Sequence, residues 1–338
     1  MHPLVLFHLP PLTLQRCFHP DDLSRLAGIY RLELPRPGEA AAAMGERFER
    51  HAAEAEVVVT GWSTPPLTEA MLAAAPRLRA ICHSAGTVKR LLPQSAWERP
   101  IIITSANEAL AIGVAETTLG MILAGLKNLF QAREWTRNGG WSALSFEPGK
   151  PSVQETYQKT VGIVSASAVG RHLIRLLENF QVRVLVYDPF LGEAEATALG
   201  VEAVSLPELA QRSDILTIHA PSLPETRGLI DGPLLSLLRD DAIVINTARG
   251  DLIDEPALLR ELESGRLRAF LDVTADEPPE KEHPFRFLPN VVLTPHLAGA
   301  VTNGCFRQGA LVVDQLLDLA ADRPVRGAIS RERFAVMA

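Results

Sequence analysis

Cysteine is scarce: Cys17, Cys82 and Cys305 are the only three in 338 residues, and no two stand at the CxxC spacing of a redox pair or zinc site. That leaves no disulfide framework, and with no histidine cluster at ligand spacing it indicates no metal. A reducing, cytoplasmic compartment is the expectation. Long apolar runs are lacking too. No stretch reaches the ~18 uninterrupted apolar residues of a membrane span. The apolar opening MHPLVLFHLPPLTLQRCF has no basic leader and is cut by Pro10 and Pro11, so it reads as a buried strand and not as a signal peptide. Positive charge is in the minority, with 33 Lys and Arg against 40 Asp and Glu and a net charge of -7. Nucleic acid and anionic membranes both attract clustered cations, so neither is an expected partner. A small molecule fits better.

What the chain does have is apolar surface, at 47% hydrophobic and 22% charged residues, enough to fold as a globular protein. Single cores stop growing near ~250 to 300 residues, so 338 residues imply two domains. The first part alternates short apolar runs (Leu4 to Leu9, Val57 to Thr60, Leu78 to Cys82, Ile101 to Thr104) with helix-like stretches such as Glu39 to Glu49. Such alternation predicts a parallel sheet with helices. From Asn107 one long helix is predicted, apolar on most sides. A loop over Asn138 to Ser152 follows. Six further strands then read at Val161 to Val164, Arg183 to Tyr187, Ile215 to His219, Ala242 to Asn246, Ala269 to Val273 and Val291 to Thr294. The fold class is α/β, with two doubly wound parallel sheets: one of the Rossmann dinucleotide-binding kind over 106–301, and one over 1–105 completed by 302–338. A helix-like run from Gly309 to Ala321 belongs to that completing segment.

Thr160 to Asp188 has the order strand, turn, helix, strand, acid. A bound adenine nucleotide needs that order, because a helix N-terminus offers free N–H groups to the pyrophosphate and the acid accepts from the ribose hydroxyls. Ser167, Ala168, Val169 and Gly170 are the candidate pyrophosphate contacts and Asp188 the ribose contact. Asp188 would also repel the 2'-phosphate of NADP, which favours NAD. The glycine frame is defective, reading Ser165-Ala166-Ser167-Ala168-Val169-Gly170 with serine at two of three glycine positions. Each serine adds a Cβ where glycine normally gives freedom. A bare strand-to-helix turn without ligand therefore stays open, as does Asp188 serving only as a turn former before Pro189.

Three later segments add specificity: INTARGDLIDEPAL at 245–258, AFLDVTADEPP at 269–279 and LTPHLAG at 293–299. With VAE at 114–116, YDPF at 187–190 and HAPSLPETRGLI at 219–230, the chain resembles the D-2-hydroxyacid dehydrogenases over about 55 to 300. The resemblance implies an NAD-dependent enzyme acting on a small 2-keto or 2-hydroxy acid, with 1–105 and 302–338 forming a flavodoxin-like substrate domain, or lid. By it, Arg249 grips the substrate carboxylate with its planar fork. His296 is the acid/base, suited by an unperturbed pKa of ~6.5. Glu277 orients that ring, with Asp276 as the rival carboxylate. Each also has a bland alternative as a surface salt bridge, an exposed loop acid or a satisfied histidine.

The resemblance further assigns His219, Ala220, Pro221 and Thr226 to the adenosine wall, and Thr247, Ala248, Asp272 and Ala298 to the nicotinamide side. Ala85 and Gly86 resemble the substrate-domain loop whose N–H groups hold a carboxylate. Trp62 and Trp141 are candidate pocket walls, the second from a partner subunit, since the family implies a homodimer through the dinucleotide domain with the Glu108 to Trp141 region contributing. A dinucleotide-sensing scaffold, corepressor-like, or a cofactor-poor inactive relative remains the alternative reading.

Overall fold

The computed structural model describes residues 2–141 and 152–336. The chain divides into two compact units, one made of 1–111 with 300–338 and the other of 112–299. The part of the expected loop at 142–151 lies outside the described residues.

The first unit is a five-stranded sheet of β1 (Leu4–Phe7), β2 (Arg31–Glu33), β3 (Ala55–Thr60), β4 (Ala80–His83) and β5 (Ile102–Ser105). Its order is β2-β1-β3-β4-β5 and every pairing is parallel, the flavodoxin-like winding. Both faces are covered. Along β1, Leu4 and Leu6 join one core, with Phe48, Val58 and Ile81, while Val5 and Phe7 join another, with Val57, Val59 and Val312. That is why the strand reads as an unbroken apolar run instead of an alternating one. β2 was not foreseen, because Arg-Leu-Glu at the sheet edge carries no such run.

The helix Cys305–Ala320 belongs to this unit. A Cβ at Gly309 would lie 1.7 Å from the Cys17 carbonyl oxygen, so glycine alone lets this helix close on Pro11–Cys17. Buried Gln315 accepts from Thr104 Oγ1 at 2.7 Å and donates to the Arg326 carbonyl, tying the last segment to β5.

The second unit is a seven-stranded parallel sheet: β6 (Thr160–Val164), β7 (Arg183–Tyr187), β8 (Glu202–Ala203), β9 (Ile215–Ile218), β10 (Ile243–Asn246), β11 (Arg268–Leu271) and β12 (Val291–Leu293). The order β12-β11-β10-β9-β6-β7-β8 reverses direction between β6 and β9. This is Rossmann winding, and its ligand crevice lies at the carboxyl ends of the strands on either side of that reversal. Six strands were expected. The seventh, β8, is a two-residue exposed edge with no apolar signal.

The helix Asn107–Leu126 begins in the first unit and continues into the second, where Ala115, Met121, Ile122 and Leu126 pack on Ile163, Ile243 and Ile245. By length and composition it is the one helix among the described residues apolar enough to cross a membrane, yet half of the qualifying stretch is buried inside the protein. It ends where Asn128 turns left-handed, and Leu129–Arg137 follows.

Candidate active site

At the reversal point, β6 leads through Ser165 to Ser167 into the helix Ala168–Leu177. Ser165 holds φ +80°, a conformation natural to glycine and strained for serine. The turn forms nevertheless, with the Ser165 hydroxyl donating to Asp188 Oδ2 at 3.1 Å. The Ala166 amide donates to the same oxygen at 2.8 Å, and the Phe190 amide to Oδ1 at 2.8 Å. Ser167 caps the helix by accepting from Gly170 N at 3.4 Å, which leaves its own hydroxyl proton to give. Gly170 is required here: an added Cβ would stand 2.2 Å from the Ser165 carbonyl oxygen. A capped helix start with Ala168 and Val169 in its first turn, a helix held close to its strand at Gly170 and an acid closing β7 together fit the pyrophosphate and ribose of a dinucleotide.

Beyond β9, His219 is buried, and its burial pushes the imidazole pKa down to about 3, so the ring is neutral. Its Nε2 meets Thr217 Oγ1 at 3.0 Å, while buried Nδ1 has no partner among the described residues. Ala220 is buried beside it and Pro221 half-buried. Thr226 holds this turn closed, donating to the Pro221 carbonyl at 2.6 Å and accepting from Leu223 N at 2.9 Å.

The chemistry-bearing loops follow β10, β11 and β12. After β10, Asn246 accepts from Ala248 N at 3.0 Å and donates to the Arg249 carbonyl at 2.8 Å, which folds Thr247 to Arg249 into a fixed turn. Sequence reasoning passed over Asn246, although it stands inside the motif quoted for Arg249. Thr247 Oγ1 meets buried Thr118 Oγ1 of the long helix at 3.0 Å. Arg249 itself is exposed and donates to the Ala248 carbonyl at 2.6 Å. Gly250 packs against the next loop so closely that a Cβ would fall 2.0 Å from the Thr274 carbonyl carbon.

After β11, buried Asp272 organises the loop after β12: Oδ1 accepts from Thr294 Oγ1 at 2.5 Å and Leu297 N at 2.9 Å, and Oδ2 accepts from buried Ala298 N at 2.8 Å. Its backbone carbonyl accepts from His296 N at 2.9 Å. His296 is held at φ +51°, with Nδ1 2.6 Å from Glu277 Oε2. A carboxylate can only accept, so this contact places the ring proton on Nδ1 and frees Nε2 for proton transfer. The carboxylate that meets the histidine is Glu277's. Asp276 is exposed and contributes its backbone carbonyl to Thr274 Oγ1 at 2.7 Å. Thr274 N in turn donates to Glu277 Oε1 at 3.4 Å, and Glu255 Oε1 accepts from Ala275 N at 2.7 Å.

Beside this pair opens a mostly apolar cavity of about 1230 Å³, bounded by His296, Glu277 and Pro278 and by Phe130 and Trp135 of the helix Leu129–Arg137. Neither aromatic was singled out from the sequence. Their signal was an aromatic pair five residues apart on a short amphipathic helix.

In the first unit, Trp62 lies half-buried after β3 against the Val5 and Phe7 core, its carbonyl accepting from Thr13 Oγ1 at 3.0 Å. Ala85 is buried after β4, and its carbonyl accepts from Ala106 N at 2.9 Å. At Gly86 an added Cβ would meet nothing nearer than Leu110 Cδ1 at 3.9 Å, so space within this unit does not demand glycine there. Trp141 is 86% exposed. Among the described residues no three His, Cys, Asp or Glu side chains group to hold a metal ion.

The D-3-phosphoglycerate dehydrogenase of Methanocaldococcus jannaschii is 33% identical over 288 residues, 84% of this chain but 54% of that protein. The chain thus spans about half the length of the phosphoglycerate dehydrogenases it matches. A glyoxylate reductase of Korarchaeum cryptofilum is 31% identical over 255 residues, 75% of this chain and 76% of that one. Among solved structures, a phosphoglycerate oxidoreductase from Rhizobium etli matches with a TM-score of 0.82 at 25% identity, covering 97% of this chain and 98% of the other. Residues 119–298 match the model of the D-isomer specific 2-hydroxyacid dehydrogenase NAD binding domain, which takes in both the dinucleotide turn and the histidine loop. The chain belongs to the D-isomer specific 2-hydroxyacid dehydrogenase family.

Proposed function

We propose that this protein interconverts a small 2-keto acid and the corresponding D-2-hydroxy acid with NAD. The observation that carries this reading is the 2.6 Å contact between His296 and Glu277, on a loop locked to its neighbour at Gly250, directly behind Arg249 in the chain. Bound NADH supplies the hydride. Arg249 holds the substrate carboxylate, and its fork orients the keto group. His296 Nε2 gives its proton to the carbonyl oxygen, and Glu277 balances the imidazolium that precedes the transfer. In the reverse direction neutral Nε2 takes the hydroxyl proton. The trio supplies proton and orientation with no metal required. Trp62 and the Ala85 and Gly86 loop carry the family's substrate contacts in this reading. Cytoplasmic placement is supported by three buried free cysteines.

A homodimer through the second unit is part of the same proposal. Leu129 and Phe130 on the helix Leu129–Arg137, Trp141 just after it and Phe287 in the loop whose Pro289 carbonyl accepts from Gln131 are all large and exposed, and exposed apolar surface of this kind marks interfaces.

The test is NADH oxidation with glyoxylate, hydroxypyruvate, pyruvate and longer 2-keto acids, alongside calorimetric titration with NADH. The expected outcome is turnover of at least one keto acid, lowered about 10²- to 10⁴-fold in His296→Ala with NADH affinity retained. NADH binding without turnover of any of them would favour the sensing scaffold. No binding at millimolar NADH would remove the enzyme reading.

A further inference from the structure

The Asp188 carboxylate has about four lone-pair positions, and three are already occupied. Oδ2 accepts from both Ser165 Oγ at 3.1 Å and Ala166 N at 2.8 Å, and Oδ1 accepts from Phe190 N at 2.8 Å. The two backbone donors are fixed by the turn and by the chain leaving β7. The Ser165 hydroxyl is the only one of the three supplied by a side chain. It stands where the dinucleotide frame normally has a glycine with no side chain to give, and its backbone accepts the left-handed strain of φ +80°. An adenosine ribose presents two neighbouring hydroxyls, and gripping both takes two free acceptor positions. One is left.

We infer that Ser165 competes with the adenosine ribose for Asp188, so that this protein recognises one ribose hydroxyl where the glycine version of the turn recognises two. Ser165 is then a determinant of cofactor affinity and ribose discrimination. The inference rests on the dinucleotide site and not on turnover. It adds a residue-specific limit: binding survives the serine but gives up one charge-assisted hydrogen bond.

The experiment is calorimetric titration of the full chain, and of Ser165→Ala and Ser165→Gly, with ADP, 2'-deoxy-ADP and 3'-deoxy-ADP. For the parent protein, removal of one hydroxyl weakens binding while removal of the other changes it less than about twofold. In Ser165→Ala, ADP binds about tenfold tighter, as one recovered hydrogen bond to a charged group allows, and removing either hydroxyl now costs about tenfold. Ser165→Gly should match Ser165→Ala, since both lack the hydroxyl although only one keeps the Cβ. Tightening in Ser165→Gly alone would assign the effect to backbone strain and overturn the proposal. Weaker ADP binding in both variants would overturn it as well, by showing that the serine positions Asp188. If ADP bound to none of the three proteins, the dinucleotide reading itself would fall, an outcome distinct from binding without the expected discrimination.

Discussion

In the proposed reaction Glu277 does two things for His296 that a neutral side chain cannot do together: it accepts from Nδ1, fixing the ring's orientation, and it offsets the positive charge the ring carries before it gives up a proton. Glu277→Gln keeps the shape and an acceptor oxygen but removes the charge. The expected outcome is a fall in kcat of about 10- to 100-fold with KM within a few-fold of the parent, measured by steady-state NADH oxidation. An unchanged kcat would remove Glu277 from the mechanism. Both residues were singled out in the sequence, because each stands in a short motif whose neighbours are as informative as itself, and the structure brings the two side chains together. The choice of Glu277 over Asp276 was legible only through the following Pro278, and the hydrogen bond now gives it a physical ground. Ser165 shows the opposite. Its position in a broken glycine frame was plain, but its bond to Asp188, 23 residues away, depends on a turn conformation that residue identities do not disclose.

The loops that follow β10 and β11 are held as one piece by the absence of a side chain at Gly250. Gly250→Ala must push the Thr274 backbone away by more than an ångström, since the new Cβ would begin 2.0 Å from it. Expected effects are destabilisation of about 1–3 kcal/mol, as for other forced overpacking, and a larger loss of kcat/KM, because Arg249 adjoins one side of the displaced contact and Glu277 lies three residues past the other. Thermal unfolding and kinetics on the same preparation check this, and an active variant of unchanged Tm would rule out the proposed coupling of the loops. At this scale the buried strands were readable as apolar runs, because parallel strands covered on both faces have no polar side to present. β2 and β8 escaped notice for the same reason inverted: Arg31-Leu32-Glu33 and Glu202-Ala203 are edge pieces that borrow their conformation from a neighbour. The helix Asn107–Leu126 was foreseen as apolar on most sides, but nothing in its pattern marked Thr118 as the residue that meets Thr247.

Across the molecule, three histidines are buried in the neutral state. Loss of water around the ring is the main cause for each, pushing His8 and His83 down to about 4 and His219 to about 3; Arg47 lowers His8 further. In the unfolded chain each returns to 6.5. The folded values are depressed, so their contribution to stability is fully present above pH 6.5 and is lost as pH falls toward 4, when the unfolded chain takes up protons the folded chain refuses. The loss amounts to something on the order of 2 kcal/mol per histidine by pH 5, and Tm should fall by several degrees between pH 7 and pH 5. A flat Tm over that range would contradict the burial of these rings. The unit built from 1–111 and 300–338 has a different kind of vulnerability, one of timing. A ribosome delivers every residue of the second unit before it delivers Gly309, whose bare backbone must close on Cys17. The β1 to β5 sheet therefore waits, with one apolar face only partly covered by the helices Pro11–Cys17 and Pro20–Ala27, while the seven-stranded sheet is synthesised behind it. During that interval the nascent chain exposes the apolar residues that Val312, Val313 and Leu316 later cover, surface of the kind that leads to aggregation.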